Sequence, residues 1–194
     1  MASRYYEMKL YGGMMECELP KDFENASTYR TIPDHQEVFV TDTNDQSIII
    51  EILEQADTED DNCAKYHFDE LAVDNEASSS EVITNDPIPD DNVPDLPSTA
   101  ICHMVTGRQL VTKYKEKGPK AENYLLLYVA VARLKQFHVD IVISYNHPMY
   151  IAPGSSSSKM MTADPDAKAS LAVFKHLLET LRITDYKLFG TPLW

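Results

Sequence analysis

Residues 124–145 read YLLLYVAVARLKQFHVDIVISY, and this stretch decides the fold class. It contains two long apolar runs, Tyr124–Phe137 and Val139–Tyr145, which read as strands. Gln136, Phe137 and His138 lie near the junction, as a hairpin requires, so the two runs are expected to pair antiparallel. Working outward, Ser47–Leu53 carries Ile48, Ile49 and Ile50, the strongest strand signal of the first half. Its continuous apolar run implies burial on both faces, as in a central strand. Glu37–Thr41 reads as a strand opened by the turn residues Pro33-Asp34-His35-Gln36. Leu10–Leu19 is strand-like and ends at Pro20. Its Gly12-Gly13 pair implies a bend, a bulge or a close backbone contact. Thr99–Tyr114 reads as a strand bent near Gly107.

Two segments carry helical spacing. Asp60–Val73 places Ala64, Phe68, Leu71 and Ala72 on one face. A second helix starts at Asp164-Pro165, with Asp as N-cap and Pro at the first position. Its core face is Leu171, Phe174, Leu178 and Leu181. Asp22–Arg30 suits a helical turn, Lys113–Lys120 is a basic turn and Ser155–Ser158 is a loop. Short links between strands imply a mainly antiparallel sheet with helices packed on it, an α+β fold. The 194 residues are expected to form one domain carrying a long loop. Residues 74–97 form that loop: seven acids, four prolines and no Lys or Arg. Such a stretch buries too little apolar surface to offset the entropy of ordering, so it is expected to be flexible.

The net charge is −14, and it is unevenly spread. Residues 1–97 hold 5 Lys/Arg against 24 Asp/Glu, and residues 98–194 hold 12 against 7. The first half is thus at −19 and the second at +5. Phosphate backbones repel such a chain, which argues against nucleic acid and for a basic protein surface as partner. Solubility alone is the plainer explanation of the charge. No apolar run is long enough to span a membrane. Met1–Lys9 shows no secretory pattern. Three widely spaced cysteines, Cys17, Cys63 and Cys102, fit a reducing compartment.

No phosphate-binding glycine loop, dinucleotide fingerprint or nucleophile motif occurs, so no enzyme activity and no cofactor are expected. Cys63 and His67 share a helix face, but two ligands are too few for a metal site, and none is expected. Asp34 and Glu37 stand out among the acids. Residues three apart on an extended chain point to opposite faces, whereas a turn over Pro33–Gln36 brings both to one edge. The alternative is that Asp34 only stabilises the turn and Glu37 is solvated.

Several blocks taken together go further. They are Leu10-Tyr11-Gly12-Gly13; Leu19-Pro20; Ile32-Pro33-Asp34-His35-Gln36-Glu37-Val38-Phe39; Asp45-Gln46-Ser47 through Glu54; Ala64-Lys65-Tyr66-His67-Phe68; and Arg133-Leu134-Lys135-Gln136-Phe137 through Ser144, Asn146 and Pro148. With them the chain closely resembles the Ran guanine-nucleotide release factor family, from about residue 10 to the C-terminal helix. Met14 departs, standing where a small residue is usual. The resemblance implies an α/β/α sandwich around a six-stranded antiparallel sheet, like the photosystem II extrinsic subunit PsbP. It also implies a monomer that resides in the nucleus with some in the cytoplasm, binds Ran (nucleotide-free or GTP-loaded), and promotes nucleotide release without covalent chemistry. The family's Ran-binding acids match Asp34 and Glu37, with Arg30, Gln36 and Phe39 expected beside them. A scaffold or chaperone-like binder of Ran, or of another basic partner, without release activity is the alternative.

Overall fold

The computed structural model describes residues 4–112, 120–159, 163 and 166–193. In chain order its elements are β1 (Tyr5–Leu10), β2 (Met15–Pro20), β3 (Glu24–Asn25), β4 (Gln36–Val40), β5 (Ser47–Glu54), α1 (Cys63–Asp74), β6 (Ser79–Pro87), β7 (Ile101–Val111), β8 (Asn123–Leu134), β9 (Val139–Tyr150), α2 (Ala167–Thr180) and β10 (Arg182–Ile183). The stretch quoted first forms the β8–β9 hairpin. It turns through Lys135–Phe137 and through His138, whose φ of 55° closes the reversal. β8 is buried along almost its whole length, because side chains on both of its faces are covered. Tyr128, Ala130 and Ala132 enter one core, and Leu127, Val129 and Val131 enter the other. That is the alternation expected of a strand between two layers.

The large sheet has seven antiparallel strands, not six, in the order β3-β4-β5-β9-β8-β7-β6. A second sheet, β1-β2-β10, lies apart from it. The Leu10–Leu19 segment is therefore not one strand. It reverses at Tyr11-Gly12-Gly13, where φ is 50°, 67° and 92°. Two glycines supply left-handed backbone there at little steric cost. α2 and the small sheet close one face of the large sheet around Leu10, Met15, Leu19, Phe174 and Leu177. α1 covers the other face through Cys63, Ala64 and Phe68. The molecule is thus layered as helix, large sheet, then helix with small sheet.

Two further expectations need correction. The flexible acidic loop is not a loop throughout: Ser79–Pro87 forms β6, paired with β7. Only Val82 of this strand is even partly buried. An edge strand is held by its backbone ladder and by β-branched residues such as Val82, Ile83 and Thr84, so it needs no buried face. Nor is β5 buried on both faces. Ile48 and Ile50 are fully buried, whereas Ile49 is only half-buried. α1 packs chiefly over β7 and β8, and on the corresponding face of β4 and β5 Val38 is buried while Ile49 is not.

β7 runs unbroken through Gly107. A Cβ at Gly107 would lie 2.3 Å from Phe68 Cζ and 2.8 Å from the Glu81 carbonyl oxygen, so glycine is what lets α1 approach the sheet. α2 begins at Ala167, capped by Asp166, whose carboxylate accepts from the Lys168 and Ala169 amides. Its core face is Val173, Phe174, Leu177 and Leu178, with Leu171 only partly buried. The expected start at Asp164-Pro165 lies outside the described residues, as does residue 113–119 of the basic turn.

Candidate functional site

The site grows from the turn before β4. The Gln36 amide donates to the Pro33 carbonyl at 2.9 Å, which closes the turn the sequence predicts. β4 then alternates. Gln36 lies opposite Glu51, and Glu37 lies opposite Ile50 in the β5 register. The two neighbours therefore take opposite faces of the sheet. Gln36 Nε2 donates to Glu51 Oε1 at 2.6 Å on one face. Glu37 turns to the face shared with the small sheet, where its Oε1 accepts the Tyr11 amide at 2.7 Å. Its Oε2 lies 3.5 Å from Asn25 Nδ2.

Tyr11 completes the clasp. Its hydroxyl donates to the Ile50 carbonyl, 2.8 Å away, and lies 3.1 Å from the His35 carbonyl. Burial, and after it the Glu37 and Glu51 carboxylates, push the Tyr11 hydroxyl's pKa upward, so it stays a donor at any physiological pH. The Tyr11-Gly12-Gly13 reversal is thereby fastened around the start of β4 by one residue, through its backbone amide and its hydroxyl. A half-buried carboxylate and an exposed turn, Pro33–His35, are held as one edge.

The structure sorts the sequence-predicted residues. Asp34 is exposed on the turn and Glu37 sits at its end, so both lie at the start of β4. The part of the alternative that leaves Glu37 solvated does not hold, because its carboxylate accepts the Tyr11 amide. Arg30 is exposed and borders a groove of 760 Å³ lined also by Val38, Ile49 and Asn146. Phe39 must be corrected: it is 0% exposed and belongs to the core beneath the edge, because it faces the same side as Ile48 and Ile50. It can support β4 but cannot touch a partner.

A second polar cluster escaped the sequence reading. Arg133 and Asp140 are directly opposite across the hairpin, and both are 0% exposed. Arg133 Nε donates to Asp140 Oδ1 at 2.8 Å, and His67 Nε2 lies 3.0 Å from Asp140 Oδ2. Arg133 also donates to the Ala56 and Thr58 carbonyls, at 3.0 and 2.8 Å. Burial opposes ionisation of Asp140, but bonds from His67 and Arg133 and the Ala56 amide together hold its carboxyl down at about 2. The signal was available: a charged residue inside each apolar run, at matching distances from the turn. His67, read as a possible metal partner of Cys63, spends its ring on Asp140 instead. Among the described residues no three His, Cys, Asp or Glu side chains converge on a common point for a metal. Burial pushes the Cys17 and Cys102 thiols up to about 12 and the Cys63 thiol to about 11, so all three stay protonated near neutrality.

Comparison with known proteins places these features. A family model described as Ran-interacting Mog1 protein matches residues 8–148. A relative from Danio rerio, named Ran guanine nucleotide release factor, is 36% identical and aligns over 93% of this chain and 98% of its own. A relative from Schizosaccharomyces pombe, named nuclear import protein mog1, is 31% identical over 94% of this chain and 100% of its own. The crystal structure of the Saccharomyces cerevisiae Ran-binding protein Mog1p superposes with a TM-score of 0.70 at 26% identity, over 97% of this chain and 100% of that one. Cyanobacterial PsbP from Synechocystis aligns with a TM-score of 0.56 at 11% identity over 94% of each chain, a likeness of fold alone.

Proposed function

The chain belongs to the Ran-interacting Mog1 family, and on that footing we propose that it binds the GTPase Ran and promotes release of Ran's guanine nucleotide, in support of nuclear transport. The names of its relatives support each part of this reading. The observation that carries the site is the clasp of Tyr11 on Glu37, which holds an acidic turn in one geometry before any partner arrives. A pre-ordered edge loses little conformational entropy on binding. Asp34 and Glu37 are the charged contacts, with Gln36 and Arg30 beside them. Phe39 acts from below by fixing β4.

Release needs no bond making or breaking. A factor that holds vacant Ran more tightly than loaded Ran lowers the affinity of Ran for nucleotide by the same factor, because the two binding events are linked. A carboxylate offered to a basic group near the phosphate site competes for the charge that otherwise holds phosphate. The protein acts as a monomer, resident in the nucleus with some in the cytoplasm.

The test pairs binding with release. Asp34→Lys combined with Glu37→Gln keeps an acceptor for the Tyr11 amide while reversing one charge and removing the other. We expect a native circular dichroism spectrum, loss of Ran binding, and loss of accelerated release of labelled nucleotide. Normal binding by this variant would remove Asp34 and Glu37 from the contact. Binding of the unaltered protein without faster release would leave a scaffold and not a release factor.

A further inference from the structure

β6 ends the seven-stranded sheet at the side opposite β4, with β5, β9, β8 and β7 between them. Among the described residues no strand lies beyond it. A nine-residue edge of this length is a template for another strand unless something covers it. Its outward groups can be assigned. Ile88, just past β6, lies opposite Cys102 in the continued register and donates its amide to the Cys102 carbonyl at 2.8 Å. In an antiparallel pair, bonded and non-bonded positions alternate. Asp86 and Thr84 therefore turn their backbone groups toward β7, and Asn85 turns its own outward. Pro87, which has no amide to offer, falls on an outward position, where it leaves the ladder intact.

Beside this edge lies an apolar groove of 350 Å³. Met104 and Thr106 of β7 form its floor, Leu171 and Leu178 of α2 one wall, and Ile88 and Pro89 its end, while Thr84 and Asp86 border it on β6. Side chains of an added strand alternate between faces, so every second one would stand on the face that carries this groove, beside its Thr84 and Asp86 border. Charge favours one kind of occupant. Residues 74–97 hold seven acids and no Lys or Arg. Glu81 is paired to Arg108, whereas Asp86 borders the groove and Asp90, Asp91 and Asp95 are exposed on the segment that follows β6; Lys175 of α2 is the one cation among the groove's described lining residues. A second copy of the chain would bring this acidic edge against its like and be repelled.

We propose that β6 and its groove form a second docking site, which takes an extended basic segment of a partner protein as an added strand, with apolar side chains alternating into the groove. Backbone pairing supplies affinity and the groove selects the alternating pattern. The site is separated from the Asp34–Glu37 edge by the width of the sheet, so both can be occupied at once.

The probe is a fluorescent synthetic peptide alternating lysine and valine, titrated by anisotropy into the full chain. Controls are a glutamate–valine peptide and a peptide with the same lysines and valines in two separate blocks. We expect the alternating basic peptide to bind best, and more weakly as salt rises. Two variants test the site, with Asn85→Ala as the control for the Asn85 side-chain bond to the Asp61 carbonyl: Asn85→Pro removes the outward amide, and Thr106→Phe fills the groove. Each should weaken the peptide by about tenfold or more while leaving Ran binding unchanged. Equal binding of the blocked peptide, or undiminished binding to Asn85→Pro, would overturn strand addition. No binding of any basic peptide, or a concentration-dependent dimer that Asn85→Pro abolishes, would overturn the basic partner.

Discussion

Glu37 Oε1 sits 2.7 Å from the backbone amide of Tyr11, twenty-six residues earlier in the chain. That single bond joins the reversal of the small sheet to the first residues of β4. Glu37 thus has a structural duty and, in the proposed contact with Ran, a charged one, and the two are separable. Glu37→Gln retains an acceptor for the amide, while Glu37→Ala does not. Urea unfolding should show Glu37→Gln close to the unaltered protein and Glu37→Ala destabilised by about 1–3 kcal/mol, the penalty of a stranded buried donor. Both should bind Ran more weakly. If Glu37→Gln binds Ran normally, the charge of Glu37 plays no part in recognition.

In the proposed contact with Ran, Asp34 has only the charged duty. It is exposed on the turn, so Asp34→Ala should change stability by less than about 0.5 kcal/mol. Ran affinity should nevertheless fall. A stability loss as large as that of Glu37→Ala would show that Asp34 holds the turn instead.

The Tyr11 hydroxyl anchors the same clasp at Ile50 and His35. Tyr11→Phe keeps the ring and removes the hydroxyl's bonds to the Ile50 and His35 carbonyls, the latter of which still accepts the Ile52 amide, and should lower stability by about 0.5–1.5 kcal/mol. Hydrogen exchange of the Gly12 and Gly13 amides should quicken, since their segment loses one of its two fastenings. Unchanged exchange there would mean that the Glu37 bond alone fixes the reversal.

Fold and site were legible to different degrees, for physical reasons. The hairpin of β8 and β9 could be read because both strands are continuous apolar runs around a short junction, and that pattern admits few structures. β6 could not, because an edge strand is stabilised by ladder bonds that leave no hydrophobic pattern behind. Ile49 misled for a related reason. Its side chain is as apolar as those of Ile48 and Ile50, but whether a helix covers it depends on where α1 is placed, which is a tertiary fact. At the site, the turn was readable from Pro33 and Asp34. The burial of Phe39 followed from the β4 register, which alternation alone could have supplied. The bond from the Tyr11 amide to Glu37 spans two sheets and has no local signature.

Gly107 gives a direct test of how α1 meets the sheet. Gly107→Ala should destabilise the protein by about 1–3 kcal/mol, because the new methyl meets the Phe68 ring and the Glu81 carbonyl. Adding Phe68→Leu should make the Gly107→Ala cost smaller than it is beside Phe68, a coupling that a double-mutant cycle measures. Additive effects would show that the clash lies with Glu81 alone.

The buried Arg133–Asp140 pair ties stability to acid pH. The Asp140 carboxyl is held at about 2, below its ordinary value of 3.8. A depressed carboxyl contributes stability above its unfolded pKa and loses it as pH falls toward the folded one. Stability should therefore drop by about 2 kcal/mol between roughly pH 4 and pH 2 through this group. Asp140→Asn should abolish that part of the acid dependence. It should also cost about 3–5 kcal/mol near neutrality by leaving Arg133 buried without its counter-charge. An unchanged acid profile in Asp140→Asn would place the loss elsewhere.

Affinity for Ran stripped of nucleotide, set beside affinity for Ran loaded with GTP, is the most direct measurement of all. A surface-immobilised chain should hold the stripped form more tightly by about tenfold or more, the coupling needed to drive release. Equal affinities for the two forms, or no affinity for either, would contradict a release factor acting by binding.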